Sequence, residues 1–494
     1  MPVSLRRWFE EGVPADVYLV GGTVRDLLLH FMPKDMDLVC RDAKKLALSI
    51  AHKKNASLVM MEKKTDEYST RFIPPCGGEY KPCYRVVDRD NPAEYLDIAE
   101  MRGDTIQEDL SRRDFTINAI AIKLRDEGTA DELIDPTHGS GDIQQKIVRM
   151  VSKEAFVSDP LRILRAVRLA AVLDFTIEAE TLQAMQSHAG LLRQVSVERI
   201  MTELQGILMT SKSSVWFRQM DDLGILQVIL PEILPMKGCE QNWYHHKDVW
   251  EHSLLVVEHI EQILYDLSRY GDVGGRIADL IDDEKTVFLK LAGLFHDIGK
   301  PSTGGIKPGT DRIIFYGHDK AGAELMKDMA VRLKLSSRSR DFLVNIIAEH
   351  LRPLALSSPK AKAAARMRWF RKMRDNAVPA IILSMADVLS SLGPESGVEY
   401  REHFRVWAEE SIQEYVTSIK PTLESPLLIN GDDLISMGMK PGIALGRLLY
   451  RLRYAQDLGK ITSREDALQL AGDMVSRWIA EKQKPEYETH STRP

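Results

Sequence analysis

A change in hydrophobic pattern near residue 150 is the feature that most constrains the fold of this chain. Before it, apolar runs of strand length alternate with turns, and two segments of helical spacing lie between them. The strand-like runs are DVYLV, MDLVC, SLVMM, YRVVD, EYLDIA, TINAIAIKL and ELIDP, and the helical segments are TVRDLLLHF and DAKKLALSIAHK. From Asp159 onward, amphipathic helical patterns continue almost to the end. We therefore predict the α+β class, with a mixed β-sheet first and all-α regions after it.

The length of the chain predicts several domains, because 494 residues exceed the size at which one hydrophobic core keeps growing. We place a sheet-containing domain at 1–150 and a first helical region at 151–240. A histidine-rich segment follows at 241–395 and a last helical region at 396–480, within which a Pro- and Ser-bearing connection, KPTLESPLLINGDD, introduces a final helical piece. The polar tail at 481–494 is expected to be disordered.

Charge and apolar patterning exclude some classes of protein. The formal net charge is −6, so any surface that binds nucleic acid must be a local one. The N-terminus lacks the apolar core of a signal peptide, and no stretch approaches the ~20 apolar residues of a membrane span. We expect a soluble, cytoplasmic protein without a membrane partner. Cys40, Cys76, Cys83 and Cys239 show no CxxC pairing, which favours reduced thiols over a Cys76–Cys83 clip.

The stretch YLVGGTVRDLLLHFMPKDMDLV combines a glycine pair, a helix and an Asp-x-Asp pattern. Gly21 and Gly22 would let backbone amides approach phosphate oxygens at the start of the helix. Asp35 and Asp37, two apart on a predicted strand, would place two carboxylates side by side, and such a pair suits Mg²⁺. The pattern predicts a site for a metal–nucleoside triphosphate, with Asp97 as the third carboxylate of a two-metal arrangement. An isolated DxD would more often be a solvated surface turn.

A second constellation is EDLSRRDFTINAIAI, in which Arg112 and Arg113 precede Asp114 and an apolar run. Paired arginines bind anions or sugar-phosphates through bidentate contacts. Taken alone, the motif would also fit a solvated charge cluster.

A third constellation is SDPLRILRAVRLAA. Arg162, Arg165 and Arg168 recur every three residues along one helix flank, and Asp159 lies at its N-terminal end. An aspartate and an arginine one turn apart offer an acceptor and donors to the edge of a nucleobase. Taken alone, this segment would fit an amphipathic helix with a charged stripe.

Histidines and aspartates from several predicted helices form a further candidate site. Imidazoles and carboxylates that converge in this way suit a divalent transition metal, although any single one would more often be a packed core residue. The candidates are His252, His296, Asp297, His318, His350 and Asp387.

The motifs of the first half occur in an order that resembles one family. LVGGTVRDLLL…KDMDLV, DLSRRDFTINAIAI, LIDPTHGSGDIQQKIVRMV, DPLRILRAVRLAAVLDF and SVERIMTEL resemble the successive motifs of the class II tRNA nucleotidyltransferase and bacterial poly(A) polymerase family. The resemblance runs from about residue 16 to 235. It implies a nucleotidyltransferase head of the polymerase-β type, followed by helical neck, body and tail regions.

The resemblance also implies a role for each matching residue. Mg²⁺ would be held in the head by Asp35 and Asp37, with Asp97 beside them, and the RNA 3′-hydroxyl would be activated there. The implied nucleotide-binding residues are Gly21, Gly22 and Arg25 for the triphosphate, Arg112, Arg113 and Asp114 for the ribose, and Asp159 and Arg162, with Arg165 and Arg168 beyond them, for the base. Asp135, Gly141 and Asp142 match a hinge-like motif. The implied partners are tRNA, through its acceptor stem and 3′ end, and the substrates CTP and ATP.

Two departures from the family pattern bear on specificity. Ser158 stands where the base-reading motif EDxxR has a glutamate, which puts support of the neighbouring arginine in doubt. The interval between the third carboxylate and the paired arginines, IAEMRGDTIQEDLSRRD, is short, as in CC-adding members that lack a mobile loop there. We therefore expect addition of C residues as CC, with full CCA addition as the open alternative.

The order H…HD…D after residue 245 resembles the HD phosphohydrolase domain that several bacterial tRNA nucleotidyltransferases carry. The resemblance implies His252, His296, Asp297 and Asp387 as ligands of Mg²⁺, Mn²⁺ or Ni²⁺, with His318 and His350 as further candidates. The implied reaction is hydrolysis of phosphomonoesters or 2′,3′-cyclic phosphates.

The C-terminal segment resembles the tail of the same enzymes. Its Pro441-Gly442 turn is followed by Arg447, Arg451 and Arg453, which fit RNA contact or a solvated helix face equally well.

The leading hypothesis is a template-independent RNA nucleotidyltransferase that matures or repairs tRNA 3′ ends. The alternatives are a poly(A) polymerase, a metal-dependent phosphohydrolase with a degenerate head, and an RNA-binding scaffold. The intact Asp35, Asp37 and RRD motif argue against the last two. Poly(A) members usually have a long basic extension and no HD domain, and this chain shows the opposite.

Overall fold

The computed structural model describes residues 5, 7–10, 12–14, 16–33, 35–61, 82–125 and 132–482. Its head contains a seven-stranded sheet in the order β3-β4-β5-β2-β1-β6-β7. The strands are β1 (Tyr18–Val20), β2 (Met36–Cys40), β3 (Ser57–Met61), β4 (Cys83–Val87), β5 (Tyr95–Glu100), β6 (Ala121–Lys123) and β7 (Glu132–Ile134). Only β2 and β5 pair in parallel within this sheet, so the expected mixed sheet is confirmed.

Strand bounds differ from the sequence prediction in two places. The strand expected around the two aspartates begins at Met36, so Asp35 lies just before it. The first part of TINAIAIKL forms a 3₁₀ turn over Thr116–Asn118, and the strand is limited to Ala121–Lys123.

Successive residues of a strand point to opposite faces of the sheet, and apolar residues pack on both faces of the head sheet. Leu19 and Leu38 belong to the main core of the molecule, whereas Val20 and Val39 pack in a smaller cluster with Leu110. The head helices are α1 (Gly22–Leu28), α2 (Ala43–Lys53), α3 (Ile106–Ser111) and α4 (Gly139–Gln145).

Helices form nearly all of the rest, as the change of pattern predicts. The short strand pairs are β8 (Ile147–Val148) with β9 (Thr176–Ile177) and β10 (Gly305–Ile306) with β11 (Ile313–Ile314). The helices up to residue 280 are α5 (Ala155–Ser158), α6 (Arg162–Leu173), α7 (Ala179–His188), α8 (Val197–Leu208), α9 (Ser213–Asp222), α10 (Leu226–Ile229), α11 (Val249–Tyr265) and α12 (Gly274–Leu280). The later helices are α13 (Asp283–Phe295), α14 (Lys300–Thr303), α15 (His318–Arg332), α16 (Ser337–Glu349), α17 (Arg352–Leu356), α18 (Ala363–Met373), α19 (Ala377–Ser390), α20 (Val398–Glu414), α21 (Lys420–Glu424), α22 (Gly431–Ser436), α23 (Ile443–Asp457) and α24 (Arg464–Lys482).

The C-terminal region has a hydrophobic core of its own, which includes Leu434, Leu452 and Val475. Arg453 donates to Asp457 at 2.9 Å and to the Ser425 carbonyl at 2.6 Å, so it holds the connection before this region. This arginine therefore has a structural role here, whereas Arg447 and Arg451 are exposed.

Cys40, Cys83 and Cys239 are free thiols, and Cys76 lies outside the described residues. The tail predicted to be disordered lies outside them from residue 483 onward. Within the described ranges, no helix is both long and apolar enough to cross a membrane.

Candidate active site and candidate metal centre

The glycine turn and the Asp-x-Asp segment are tied together by one buried threonine. Gly21 has φ +68°, a conformation that favours glycine, and it joins β1 to α1. In the first turn of α1, Thr23 Oγ1 donates to the Asp35 carbonyl and accepts from the Asp37 amide, both at 2.9 Å. These two bonds hold the carboxylates at the N-terminal end of the helix, where a triphosphate would bind.

The third carboxylate lies beside Asp37, because Asp37 and Asp97 are register partners in the parallel pair β2–β5. Burial, followed by the negative charge of Asp97, raises the pKa of Asp37 to about 7. A half-buried carboxylate that is destabilised by desolvation and by a like charge is suited to a divalent cation, which would favour its ionised form. The donor set of oxygen atoms therefore fits Mg²⁺.

Arg85 and Tyr95 complete this cluster, and the sequence analysis did not identify either of them. Arg85 donates to both oxygens of Asp97 at 2.7 Å each, from the neighbouring strand β4. Tyr95 donates its hydroxyl proton to Asp35 and lies under the Arg85 guanidinium at 4.0 Å. Asp97 is thus held in place by an arginine, while Asp35 is exposed at the mouth of the site. Cross-strand pairing brings these residues together, so sequence spacing gave no signal for them.

The paired arginines follow α3, and Arg113 faces the same site, whereas the Arg112 side chain is exposed. Arg113 is held by Asp109, a buried residue of α3, which accepts from its Nε at 3.1 Å and from its Nη2 at 2.9 Å. A Cβ on Gly21 would lie 3.0 Å from Arg113 Nη1 and 3.6 Å from Asp37 Oδ2. The structure therefore brings the predicted arginine, glycine and carboxylate together.

Arg25 and Asp114 are connected through an asparagine. Arg25 Nη1 donates to Asn118 Oδ1 at 2.9 Å, and Asn118 Nδ2 donates to Asp114 Oδ1 at 3.1 Å. Burial alone would raise the pKa of Asp114, but the charges of Arg165 and Arg162 outweigh it and hold that pKa below its usual value. Asp114 is accordingly an ionised acceptor in the interior of the site.

The predicted base-reading pair lies at the junction of head and neck, and both members are buried. Asp159 accepts from Arg199 Nη2 at 2.9 Å. Arg162 donates to the Arg112 carbonyl at 3.1 Å and to Ser158 Oγ at 3.3 Å. The serine that replaces the family glutamate thus still contacts the arginine, as a neutral acceptor.

Two members of the arginine stripe on α6, Arg165 and Arg168, are paired with carboxylates, so the stripe does not form a solvated face. Arg165 Nη1 lies 3.2 Å from Asp114 Oδ2, and Arg168 Nε lies 2.5 Å from Glu203 Oε2. Glu203 is buried on α8 and also lies 3.5 Å from Arg165 Nε. Arg168 is therefore directed to α8, which is a supporting position, while Arg165 joins the neck to the head.

The hinge-like motif builds the start of α4. Asp135 accepts from the Gly139 and Ser140 amides at 2.7 and 2.9 Å. Asp142 accepts from Thr116 Oγ1 at 2.6 Å, which links α4 to the turn after the paired arginines. Gly141 has open space where a Cβ would be.

The histidines and aspartates of the second candidate site converge in the helical region. His252 Nε2 lies 2.9 Å from Asp387 Oδ1, and His296 Nε2 lies 3.0 Å from Asp297 Oδ2. His318 and His350 are buried beside them, and burial lowers the pKa of His350 to about 4, so its ring is neutral at pH 7. The structure thus brings together all six candidates, in two groups with ligand-atom spacing suited to metal ions.

Lys300 belongs to the same cluster, and sequence reasoning missed it. Its Nζ lies 2.6 Å from Asp297 Oδ2 and donates to Gln241 Oε1 at 2.6 Å. The only signal was its position three residues after the aspartate in HDIGK, at the start of α14.

Family models match three parts of the chain. They are the "Poly A polymerase head domain" over 17–149, the "Probable RNA and SrmB- binding site of polymerase A" over 174–237, and the "HD domain" over 249–392. The fold and the head site thus define a nucleotidyltransferase.

Curated relatives give the family. The chain is 30% identical to an A-adding tRNA nucleotidyltransferase of Deinococcus radiodurans, over 95% of this chain and 96% of the relative. It is 28% identical to a CC-adding tRNA nucleotidyltransferase of Thermus thermophilus, over 92% of each chain. The chain belongs to the tRNA nucleotidyltransferase family and is an enzyme of that class.

Solved structures show the same fold. The Thermotoga maritima CCA-adding enzyme complexed with tRNA has a TM-score of 0.59 at 21% identity, over 93% of this chain and 91% of that one. A CCA-adding enzyme in complex with CTP has a TM-score of 0.60 at 20% identity, over 97% and 93%. The predicted fold class and family are therefore confirmed.

Proposed function

We propose that this enzyme adds cytidylates from CTP to the 3′ end of tRNA in the cytoplasm and releases pyrophosphate. The proposal assigns nucleotidyl transfer to the head at 1–150, base and RNA contact to 151–240, and further RNA contact to 396–480. The observation that carries it is the pair of hydrogen bonds at Thr23 Oγ1, which donates to the Asp35 carbonyl and accepts from the Asp37 amide and so fixes the glycine turn against both aspartates. This arrangement supports the proposal, because the amides that would bind a triphosphate lie next to the carboxylates that would bind a metal.

Different residues of the head would have different roles in the reaction. Asp35 and Asp37 would hold divalent cations, which activate a 3′-hydroxyl and neutralise the leaving pyrophosphate when bound. Gly21, Gly22 and Arg25 would contact the triphosphate at the N-terminal end of α1. Arg112, Arg113 and Asp114 would position the ribose through hydrogen bonds.

The base would be read at the head–neck junction. Asp159 and Arg162 would present an acceptor and donors there, and they are supported by contacts with Arg199 and Ser158. Base selection by a protein surface explains how an enzyme without a nucleic-acid template chooses its nucleotide.

The connection between β5 and α3 favours CC as the product, because hydrogen bonds hold its backbone in place. The Met101 amide donates to the Cys40 carbonyl at 2.9 Å, and the Arg102 amide donates to Asp109 Oδ1 at 3.0 Å. The Asp104 amide donates to Glu108 at 2.9 Å. A segment whose backbone is held at three points has little freedom to move. A change of specificity from CTP to ATP would require such a movement.

Gel analysis of extended tRNA tests this proposal. Transcripts that lack CCA are incubated with CTP, ATP or both, and transcripts that end in CC are incubated with ATP. We expect two cytidylates from CTP and no extension of the CC end. Adenylate addition to the CC end together with CTP use would show full CCA addition, adenylate without CTP use would show A addition, and long adenylate tracts would show a poly(A) polymerase.

The second site supports a second activity, hydrolysis of phosphomonoesters or 2′,3′-cyclic phosphates. The observation that favours it is the convergence of four histidines and two aspartates, with Lys300 beside them to contact a phosphate oxygen. A divalent cation held there (Mg²⁺, Mn²⁺ or Ni²⁺) would supply an activated water.

Paired variants separate the two activities. Asp37→Ala should abolish nucleotide addition and leave hydrolysis of p-nitrophenyl phosphate intact, whereas His296→Ala should do the reverse. Unchanged hydrolysis and metal content in His296→Ala would contradict the second assignment.

A further inference from the structure

We propose that Arg85 is the counter-ion of the head carboxylates in the nucleotide-free enzyme, and that it opposes divalent cations until a nucleoside triphosphate carries them in. This inference rests on the proposed nucleotidyl transfer in the head and adds to it the order in which metal and nucleotide bind. Arg85 lies on β4 and belongs to none of the motifs that point to a function. It acts through Asp97, as a positioning residue.

Arg85 binds both oxygens of the third carboxylate. Its Nε donates to Asp97 Oδ1 and its Nη2 donates to Asp97 Oδ2, at 2.7 Å each. The Asp97 side chain is only 4% exposed, so little of it is left for water to solvate. The guanidinium fork occupies a lone pair on each oxygen and brings a full positive charge next to both. Asp97 is therefore a weak ligand for a free cation as long as Arg85 is in place.

Tyr95 connects the same arginine to the mouth of the site. The guanidinium carbon of Arg85 lies 4.0 Å from the centre of the Tyr95 ring, and a cation over an aromatic face is attracted by it. The ring therefore stabilises the guanidinium in its position over β5. The Tyr95 hydroxyl donates to Asp35 Oδ1, so an oxygen of a second proposed metal ligand is also occupied.

Strand pairing places Arg85 in one row with the carboxylates. Arg85 and Asp97 are register partners in the pair β4–β5, and Asp97 and Asp37 are register partners in the pair β2–β5. Side chains directly opposite each other on neighbouring strands lie on the same face of the sheet. The row across the three strands is thus arginine, aspartate, aspartate, and its cation is built into the sheet.

Two other arginines of the head site have carboxylate partners outside this row. Arg25 and Arg113 pair with Asp26 and Asp109, at 2.7 and 2.9 Å. Arg85 differs from them, because its partner is itself the third carboxylate of the proposed metal site. The role of counter-ion for the metal ligands therefore falls to Arg85.

The order of binding follows from these charges. A free divalent cation that approaches the row is repelled by the guanidinium and competes with it for the same oxygens. A complex of one divalent cation with CTP still has a net negative charge, so the guanidinium does not repel it as a whole. The metal is therefore expected to enter with the nucleotide, and the empty head should bind divalent cations weakly.

Titration of the full-length chain with Mn²⁺ tests this inference, with free Mn²⁺ followed by electron paramagnetic resonance. The head ion is identified as the one that is lost when Asp37→Asn is added to each protein. Without nucleotide, Arg85→Met should bind Mn²⁺ at the head at least about tenfold more tightly than the unsubstituted chain. Calorimetric titration with a Mn²⁺–CTP complex should show no such gain. Equal Mn²⁺ affinities without nucleotide, or an equal gain for the complex, would overturn the proposal.

Two further variants separate charge from shape. Arg85→Gln is neutral but can still donate to Asp97, so it should bind free Mn²⁺ more tightly and replaces Arg85→Met if that protein does not fold. Arg85→Lys keeps the positive charge without the fork, and its affinity for free Mn²⁺ should remain low. A gain in Arg85→Lys as large as that in Arg85→Gln would show that charge is not the cause.

Arg89→Met is the matched control. Arg89 is exposed, follows β4 and binds neutral groups, Ser57 Oγ at 3.3 Å and Asn55 Oδ1 at 3.1 Å. Its substitution should leave both affinities unchanged. CTP incorporation is assayed in parallel. Its absence in the unsubstituted chain would refute the proposed function and leave the Mn²⁺ comparison standing, whereas incorporation with an unchanged Mn²⁺ affinity in Arg85→Met would refute only the counter-ion role.

Discussion

Asp109 is expected to control nucleotide affinity without touching the nucleotide. Its Oδ2 accepts both hydrogen bonds from Arg113, while its Oδ1 accepts from the Arg102 amide at 3.0 Å. In Asp109→Asn, the amide oxygen can keep the bond to the backbone, but its NH₂ group faces the guanidinium. The substitution therefore removes both hydrogen bonds that hold Arg113, while the side chain at position 109 keeps nearly the same shape.

The magnitude follows from the bonds that are lost. A hydrogen bond to a charged group contributes about 1.5–3 kcal/mol, and Arg113 would retain part of its position through its other contacts. A loss of about 2–3 kcal/mol corresponds to an approximately 30- to 160-fold decrease in kcat/KM for CTP. Because Arg113 is proposed to bind the ribose, we expect most of the effect in KM.

Steady-state CTP incorporation provides the assay, and Glu108→Gln provides the control. Glu108 is the preceding carboxylate of the same helix, and it accepts from the Asp104 amide instead of from Arg113. It should change kcat/KM by less than about threefold. Equal losses in the two variants, or a lower kcat at constant KM in Asp109→Asn, would refute a positioning role and indicate general destabilisation.

Three further predictions concern the head site and the interior of the helical region. Gly21→Ala should lower kcat/KM by more than about tenfold, because its φ is +68° and its Cβ would lie 3.0 Å from a guanidinium, whereas Gly141→Ala meets open space and should be neutral. Burial and neighbouring carboxylates raise the pKa of Asp37 to about 7, so protons compete with Mg²⁺ below that pH. The Mg²⁺ concentration for half-maximal CTP incorporation should therefore fall about tenfold from pH 6 to pH 8, and a pH-independent value would contradict this. Lys290→Met removes a buried ion pair with Glu261, in which Nζ and Oε1 are 3.2 Å apart. The free energy of unfolding, measured in urea, should decrease by about 3 kcal/mol, and a decrease near zero would contradict this prediction.

Local patterns in the sequence were sufficient to predict the sheet and the helices. Strand periodicity and the glycine turn are properties of adjacent residues, so β1, α1 and β2 could be anticipated within a few positions. The pairing of Asp97 with Arg85 could not, because it depends on β4 lying next to β5. The same limit applies to Thr23, whose two hydrogen bonds join it to residues twelve and fourteen positions further along the chain.

The candidate metal centre could also be predicted only in part from the sequence. The residue types and their order were enough to select the six candidates, since imidazole and carboxylate are metal ligands wherever they converge. Their grouping depends on which oxygen of Asp297 faces which ring, and that is fixed by the packing of four helices. His318 and His350 were therefore selected only as further candidates, because their convergence on Asp297 depends on the fold.

The proposed base-reading role of Arg162 would couple base selection to the geometry of the N-terminal half. The Arg162 guanidinium donates to the Arg112 carbonyl of the head, while its own backbone lies on α6. A base that took this donor would have to displace that contact, so the apparent affinity for CTP would be lower than the intrinsic one by the cost of the exchange. By thermodynamic reciprocity, bound CTP would then weaken the contact between α6 and the head by the same factor.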